Sequence, residues 1–462
     1  LVIRLTAFLK GNSGIREELV RLVEAMINRG IIPLVPIRGS VGSSGDLCPL
    51  SHLFVILVGE GRYYQVREPG DLSYQSRELK SGLESLQQDL GFQVPRLSYK
   101  EGLALINGAT FTAALLALAV FDAENAARTA DMAAALSLEA VCGCARAFDR
   151  RVHEARGQAG QIACAAHFRE LLKGSRLIEG AGAVQDVYSL RCAPTVHGAV
   201  RDSIAYARTV TEKEINAATD NPLFFGDGEP PWDWEFRENW PEGYRGDQRI
   251  SFSAGNFHGE PLGFAADFLA IGLAELADIS ERRIQMLLDG HHNRNLPTNL
   301  VAHPGINSGW MIAQYVAAGI VSENKVLAHP ASVDSIPTSS NSEDHNAMGI
   351  IAARKLRTVL RNVQAVLAIE LLVAAQAVDW RVAAKRDPRE APAPVDWQKE
   401  AQALQAATAE DGRKVIAAQL GQGTRRVYLK VRELSVPLLG DNRTLDEDIR
   451  VVRGAVERGS LL

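Results

Sequence analysis

Residues Glu101 to Ala147 read EGLALINGATFTAALLALAVFDAENAARTADMAAALSLEAVCGCARA. The stretch is dominated by Ala and Leu, and Gly102 to Phe121 carries no charged side chain. A run of that length is a membrane-span candidate. It holds Asn107, Thr110 and Thr112, however, and passes directly into Asp122, Glu124 and Arg128. A buried core helix, either one very long helix or two in series, is the better reading. Helices of this size far exceed the usual mean of about 11–12 residues, which points to a bundle of long helices rather than a layered α/β domain.

The rest of the chain agrees. Ile15 to Asn28 places Ile15, Leu19, Leu22, Val23, Met26 and Ile27 on one face, and Gly30 stops it. Asp46 to Val58 reads as a short apolar helix ended by Gly59. Pro261 to Leu288 has one polar stripe (Asp267, Glu275, Asp278, Arg282, Gln285) and otherwise apolar faces, so it should be surrounded by other helices. Asn307–Ala328 and Glu343–Trp380 have the same character. Strand signals are short: Ile31–Ile37, Arg62–Val66 and Arg249–Phe252. Gly226–Asp247, with three tryptophans, reads as a surface insertion, and Asp387–Pro394 as a linker. The expected fold is all-α. An N-terminal helical region (1–100) precedes an elongated central bundle (101–385) and a C-terminal helical segment (386–462).

Composition narrows the function. At 46% hydrophobic and 23% charged, the chain is ordinary globular protein. With 50 basic against 55 acidic side chains and no basic stripe, nucleic acid and anionic membranes are poor partners. Five cysteines are few and odd in number, which favours a reducing cytoplasm over a disulfide framework. Cys142-x-Cys144 has no completing pair, and His291-His292 lacks a third spaced ligand, so no metal site is expected. Leu1 opens in the middle of an apolar periodic run without a cap, so an N-terminal portion is expected to be missing.

The sharpest local feature is Gly39-Ser-Val-Gly-Ser-Ser-Gly-Asp-Leu-Cys-Pro-Leu-Ser-His52. A Gly/Ser loop is followed by Asp46, a candidate N-cap, and by Pro49 in the first helical turn. A serine-hydrolase elbow is excluded because Asp46 stands where its last Gly belongs. A phosphate loop would need Gly-Lys-Ser/Thr. The loop closely resembles the Gly-Ser-Val-Gly-Ala-Ser-Gly-Asp-Leu-x-Pro-Leu motif of the aromatic amino acid ammonia-lyases. In that family the central tripeptide cyclises with loss of two waters to a methylidene-imidazolone electrophile. The resemblance implies such a group from Ser43, Ser44 and Gly45, with Ser43 replacing the commoner Ala, and no metal or dissociable cofactor.

Further segments extend the likeness. Lys100–Gly108 resembles the segment whose Asn, here Asn107, contacts the electrophile and the substrate amine. Taken alone, Asn107 is only a polar group in an apolar helix that needs partners. Val184–Cys192 resembles a Gln-Asp-x-Tyr-Ser-Leu-Arg run, with Gln185 and Tyr188 lining the site and Arg191 gripping the substrate carboxylate. Arg191 suits a bidentate carboxylate clamp, although an internal ion pair would also account for it. Ser253–Pro261 resembles a Gly-Asn-Phe-His segment whose Phe, here Phe257, packs beside the electrophile. Thr338–His345 resembles a Thr-Ser-x-x-Gln-Glu-Asp-His stretch of histidine lyases and some bacterial tyrosine lyases, and Glu343 would there face the substrate side chain. Read by themselves, Ser342 would cap a helix and Glu343 and Asp344 would favour its positive end. Shorter matches at Val152–Gln158, Asp220–Leu223, Ser280–Arg283 and Ser322–Lys325 carry the likeness from residue 1 to about 385, with a weaker one near Tyr428–Gly459.

The resemblance implies a cytoplasmic homotetramer whose sites are built from three subunits. It implies elimination of ammonia from an aromatic L-amino acid, L-histidine to urocanate being the first expectation. Tyr188 would assist proton transfer or ring polarisation, and Glu343 would orient the imidazole. The family's catalytic Tyr loop would lie before Leu1. A tyrosine or phenylalanine lyase, an aminomutase, and a catalytically inert helical oligomer are the alternatives.

Overall fold

The structure is a computed structural model that describes residues 1–42, 45–66, 73, 79–225, 251–390, 396–438 and 442–461. Ser43, Ser44, the whole of the expected insertion at 226–247 and the second half of the expected linker therefore lie outside the described residues. The helices are α1 (Val2–Leu9), α2 (Glu17–Asn28), α3 (Leu47–Phe54), α4 (Leu83–Leu90), α5 (Glu101–Ile106), α6 (Thr110–Ala140), α7 (Arg150–Arg156), α8 (Ala159–Leu171), α9 (Tyr188–Arg191) and α10 (Ala193–Glu214). They continue with α11 (Glu260–Leu288), α12 (Met311–Leu327), α13 (Gly349–Ala383), α14 (Trp397–Thr408), α15 (Glu410–Ala417), α16 (Gln422–Leu434) and α17 (Asp446–Glu457). The expected helical stretch is thus two helices in series, broken at Asn107–Ala109, and the second ends at Ala140, short of Ala147.

Packing divides the chain into two compact units, each assembled from three separate stretches. The first comprises Leu1–Leu118, Ala207–Asp267 and Pro330–Arg354. Its core forms where α2 turns Leu19, Leu22, Val23 and Met26 inward at helical spacing, against Phe8, Phe54, Ile56, Leu86, Leu90 and Leu105. Glu17 and Glu18 occupy the first turn of α2, where the helix dipole favours acids. A small antiparallel sheet closes this core. Its strands β1 (Ile31–Pro33), β2 (Arg62–Gln65) and β3 (Lys80–Ser81) run in that order, with Ile31 opposite Gln65 and Tyr63 opposite Lys80. The strands β4 (Leu223–Phe224) and β5 (Ser251–Phe252) form a separate pair.

The second unit comprises Ala119–Tyr206, Phe268–His329 and Lys355–Leu462. In it the α13 residues Leu356, Val359, Val363, Val366, Leu371 and Trp380 are all sealed from solvent. Alanines 123, 126, 130, 133 and 134 do the same along α6, and side chains this small let neighbouring helices come close. In the approach of α8 to α10 backbone meets backbone: a Cβ on Gly160 would lie 2.1 Å from the Gly198 carbonyl oxygen.

By length and composition α6 and α13 could each cross a membrane. Their buried acids show core helices instead. Glu370 of α13 accepts from Arg283 Nε (2.5 Å) and Nη2 (2.8 Å), Ser137 (2.9 Å) and Ser280 (2.6 Å). Asp131 of α6 accepts from His167 (2.8 Å), His197 (2.7 Å) and Arg201. Burial would raise the Asp131 carboxyl, but the two imidazoles and the guanidinium outweigh it and hold it below the ordinary carboxylate range. Asp379 accepts from Tyr428 and Arg432, each at 2.5 Å.

Several helix starts differ from the sequence reading, and α2 begins at Glu17 rather than Ile15. α12 begins at Met311, after Gly309 with φ +54°. α13 begins at Gly349, not at Glu343, because Asn346 ties the preceding segment outward: its N–H donates to Ser335 Oγ (2.9 Å) and its amide to the Ile336 and Glu343 carbonyls. α11 is enclosed on most faces, yet Phe264, Phe268 and Ile271 stay about half exposed in the single chain, where a fully surrounded helix was expected.

Glu370→Gln should cost about 3–5 kcal/mol, because it leaves the Arg283 charge buried without its partner. Chemical denaturation followed by circular dichroism would show the lowered midpoint with native helix content retained.

Candidate active site

The Gly/Ser loop is anchored on both sides of residues 43 and 44. On one side Val41 O accepts from Met348 N–H at 2.8 Å, and Gly42 N–H donates to Ser40 Oγ at 3.1 Å. On the other, Asp46 N–H donates to Gly108 O at 2.9 Å, and Gly45 forms an isolated bridge to Gly108. Gly45 has φ +75°, and a Cβ there would sit 2.1 Å from the Gly108 carbonyl carbon. Only glycine can occupy that position.

Asp46 precedes α3, but its side chain makes no cap hydrogen bond to that helix. It is fully buried and reaches across to the start of α6, accepting from Thr112 N–H (2.7 Å) and Thr112 Oγ1 (3.0 Å), and from Ser40 Oγ (3.2 Å). The expected N-cap is thus a tertiary tie that fixes the loop to the α5–α6 break. Burial pushes the Asp46 carboxyl up to about 6 against the pull of these donors. Nearby Glu214 is pushed up to about 7, by burial first and by the Asp46 charge second.

Asn107 ends α5 in extended conformation and is buried. Its carbonyl accepts from Nη1 of Arg4, a side chain sealed from solvent. Arg4 also lies 3.9 Å from Asp220, which pairs with Lys100 at 2.9 Å. These supports were not legible in the sequence. Arg4 sits in an apolar helix far from its partners, and a buried arginine at that spacing is the one signal that could have marked it.

Glu343 and Phe257 lie in the same unit. Glu343 is half-buried in a loop, held by Thr338 Oγ1 at 2.9 Å and by a backbone bridge to Thr338, and it is not in the first turn of a helix as expected. Phe257 is half-buried just before α11. Gly259, two residues on, faces the loop: a Cβ there would meet Ala109 Cβ at 3.2 Å and Gly42 O at 3.9 Å. The loop around 42–46, the Asn107 break, the start of α11 and the segment before α13 therefore converge.

Gln185, Tyr188 and Arg191 belong to the other unit. Gln185 and Tyr188 are exposed. The Arg191 guanidinium lies over the Tyr188 ring, 4.7 Å from its centroid, and its buried Nε has no hydrogen-bond partner among the described residues. No ion pair holds Arg191 among the described residues, so its fork is open to an incoming carboxylate.

The aromatic amino acid lyase profile matches residues 1–409. A histidine ammonia-lyase of Caldanaerobacter subterraneus subsp. tengcongensis is 44% identical over 463 residues, covering 100% of this chain and 78% of its own. The crystal structure of histidine ammonia-lyase from Trypanosoma cruzi superposes with a TM-score of 0.77 at 37% identity, over 99% of this chain and 75% of that one. A tyrosine aminomutase from Streptomyces globisporus gives 0.79 at 34% identity, over 99% and 78%. The chain belongs to the aromatic amino acid lyase family. It is accordingly a carbon–nitrogen lyase built on that family's helical fold.

The two raised carboxyls make stability depend on pH. The folded state holds their protons more tightly than the unfolded chain, so their contribution is complete below the ordinary carboxyl values of 3.8 and 4.5 and is lost as pH rises through about 6 and about 7. The melting temperature should fall across that window. Glu214→Gln should flatten the fall, which scanning calorimetry at stepped pH would read directly.

Proposed function

We propose that the protein eliminates ammonia from L-histidine to give urocanate. The observation that carries this reading is the pinning of the Glu343 segment to the Gly/Ser loop through Met348 and Val41, which places an acidic side chain on an element joined to the loop. The names of the similar lyases support the same choice.

The residues present fit a cyclised Ser43-Ser44-Gly45 group. Gly45, whose amide nitrogen would close the ring, is held in a left-handed bend that no side chain could share, and both flanks of the tripeptide are tied to rigid neighbours. When formed, that group supplies the electron-poor centre that makes the substrate amine a leaving group. The chain's own side chains do the rest. Arg191 binds the substrate carboxylate, Asn107 supports the amine, Gln185 lines the pocket and Phe257 packs against the substrate. Glu343 accepts from the imidazole N–H and fixes the ring, while Tyr188 assists proton movement with its hydroxyl. We place the enzyme in the cytoplasm as a homotetramer. The Val184–Tyr188 run, in which Val184 is 92% exposed and Tyr188 72% while Asp186 is buried, is suited to completing a pocket on another copy.

Ser44→Ala should abolish turnover, and intact-mass measurement should show the parent protein, but not this variant, lighter by two waters. Arg191→Ala should chiefly raise KM, by roughly 10–100-fold for the loss of about 1.5–3 kcal/mol in charged hydrogen bonds. Histidine and tyrosine assayed side by side decide the substrate: urocanate formation supports the reading, whereas coumarate or a β-amino acid would assign a tyrosine lyase or an aminomutase.

A further inference from the structure

His258 and Glu260 stand at the start of α11, and His345 lies in the segment before α13, 87 positions from His258. Glu260 N–H donates to His258 Nδ1 at 3.3 Å, which makes Nδ1 the unprotonated nitrogen. His258 Nε2–H then donates to the His345 carbonyl oxygen at 3.2 Å. The same Nδ1 is 4.0 Å from Glu260 Oε2. That oxygen is shut off from solvent and accepts no hydrogen bond among the described residues. The Nδ1 lone pair is thus met only by the long contact from the Glu260 N–H, while the carboxylate oxygen 4.0 Å away is left without a donor, a buried negative charge that a cation taking the place of that weak contact would offset. The His345 ring lies alongside, its centroid 5.6 Å from that of His258, and one ligand atom from each of the three residues falls within 4.8 Å of the others.

We propose that His258, Glu260 and His345 form a binding site for a divalent transition-metal ion of the zinc type. Two imidazoles and one carboxylate are a borderline donor set that suits such an ion, whereas magnesium and calcium take oxygen ligands. Metal–ligand bonds of about 2.0–2.2 Å bring the donors closer than they now stand, and rotation of the exposed His345 side chain supplies that closure. Three protein ligands leave one tetrahedral position for water or a small anion. Occupancy would clamp the start of α11 to the segment that carries Glu343. The second cluster of this kind, Asp131 with Cys164 and His197, is already neutralised by Arg201 and does not present the same unmet charge.

The test uses the full chain, stripped with chelator and titrated with Co²⁺. One equivalent should bind with the visible absorption of a four-coordinate cobalt centre, and Zn²⁺ should displace it. Glu260→Gln and His345→Ala should each weaken binding by more than the roughly 10–100-fold that loss of an outer-shell partner costs. His292→Ala, at the exposed pair with Asp289, should leave binding unchanged. His345 is exposed, so its variant keeps the test open if Glu260→Gln folds poorly. Absence of the cobalt signal in folded protein would show that the cluster holds no metal ion and would overturn the proposal, as would an unchanged signal in the His345 variant. The readout does not involve turnover, so it stands or fails separately from the choice of substrate.

Discussion

The contact of two backbones, Gly45 against Gly108, is the constraint on which the rest of the candidate site depends. It brings a loop before a short helix against the break between α5 and α6, with no side chain on either residue to separate them. Asp46 then locks the contact by taking both donors of Thr112. A buried carboxyl is unfavourable unless hydrogen-bonded, so the same residue that stabilises the contact also makes it intolerant of change.

The protein places its charges in two ways. Arg4 and Asp220 are buried, with Lys100 half-buried beside them, and Arg4 grips the carbonyl of Asn107 itself. Arg283 with Glu370, and Arg432 with Asp379, do the same for the long helices of the second unit. Buried ion pairs of this kind contribute little net stability but penalise any arrangement that separates them. Arg191 is the opposite case, a guanidinium stacked on Tyr188 with nothing inside its own chain to neutralise it among the described residues. An uncompensated charge beside an exposed aromatic ring is what a site for a small carboxylate needs.

The segment from Thr338 to Met348 joins these features to the proposed chemistry. Its side chains and backbone bond to one another and to Val41 rather than continuing α13 backwards. Glu343 is thereby presented from a braced loop, where a helical first turn would have directed it differently. The neighbouring His345 is carried by the same brace toward His258 and Glu260.

The long helices and their apolar faces were determined by sequence alone, since burial of Leu19, Leu22, Val23 and Met26, or of the α13 residues, follows from a 3.6-residue period that any neighbouring surface satisfies. The order of short motifs along the chain likewise sufficed to mark Gly45, Asn107, Arg191 and Glu343 as residues to watch. Tertiary structure alone decided what those residues do locally. Asp46 has the composition of a helix cap and became a cross-link, because Thr112 offers two donors to a group that had no water left. Arg4 could not be singled out, because its acceptor lies 103 residues away. The start of α13 shifted because Asn346 found partners outside the helix. Local sequence encodes periodicity and propensity, whereas the pairing of buried polar groups depends on which distant segments meet, and that is settled only when the chain has folded.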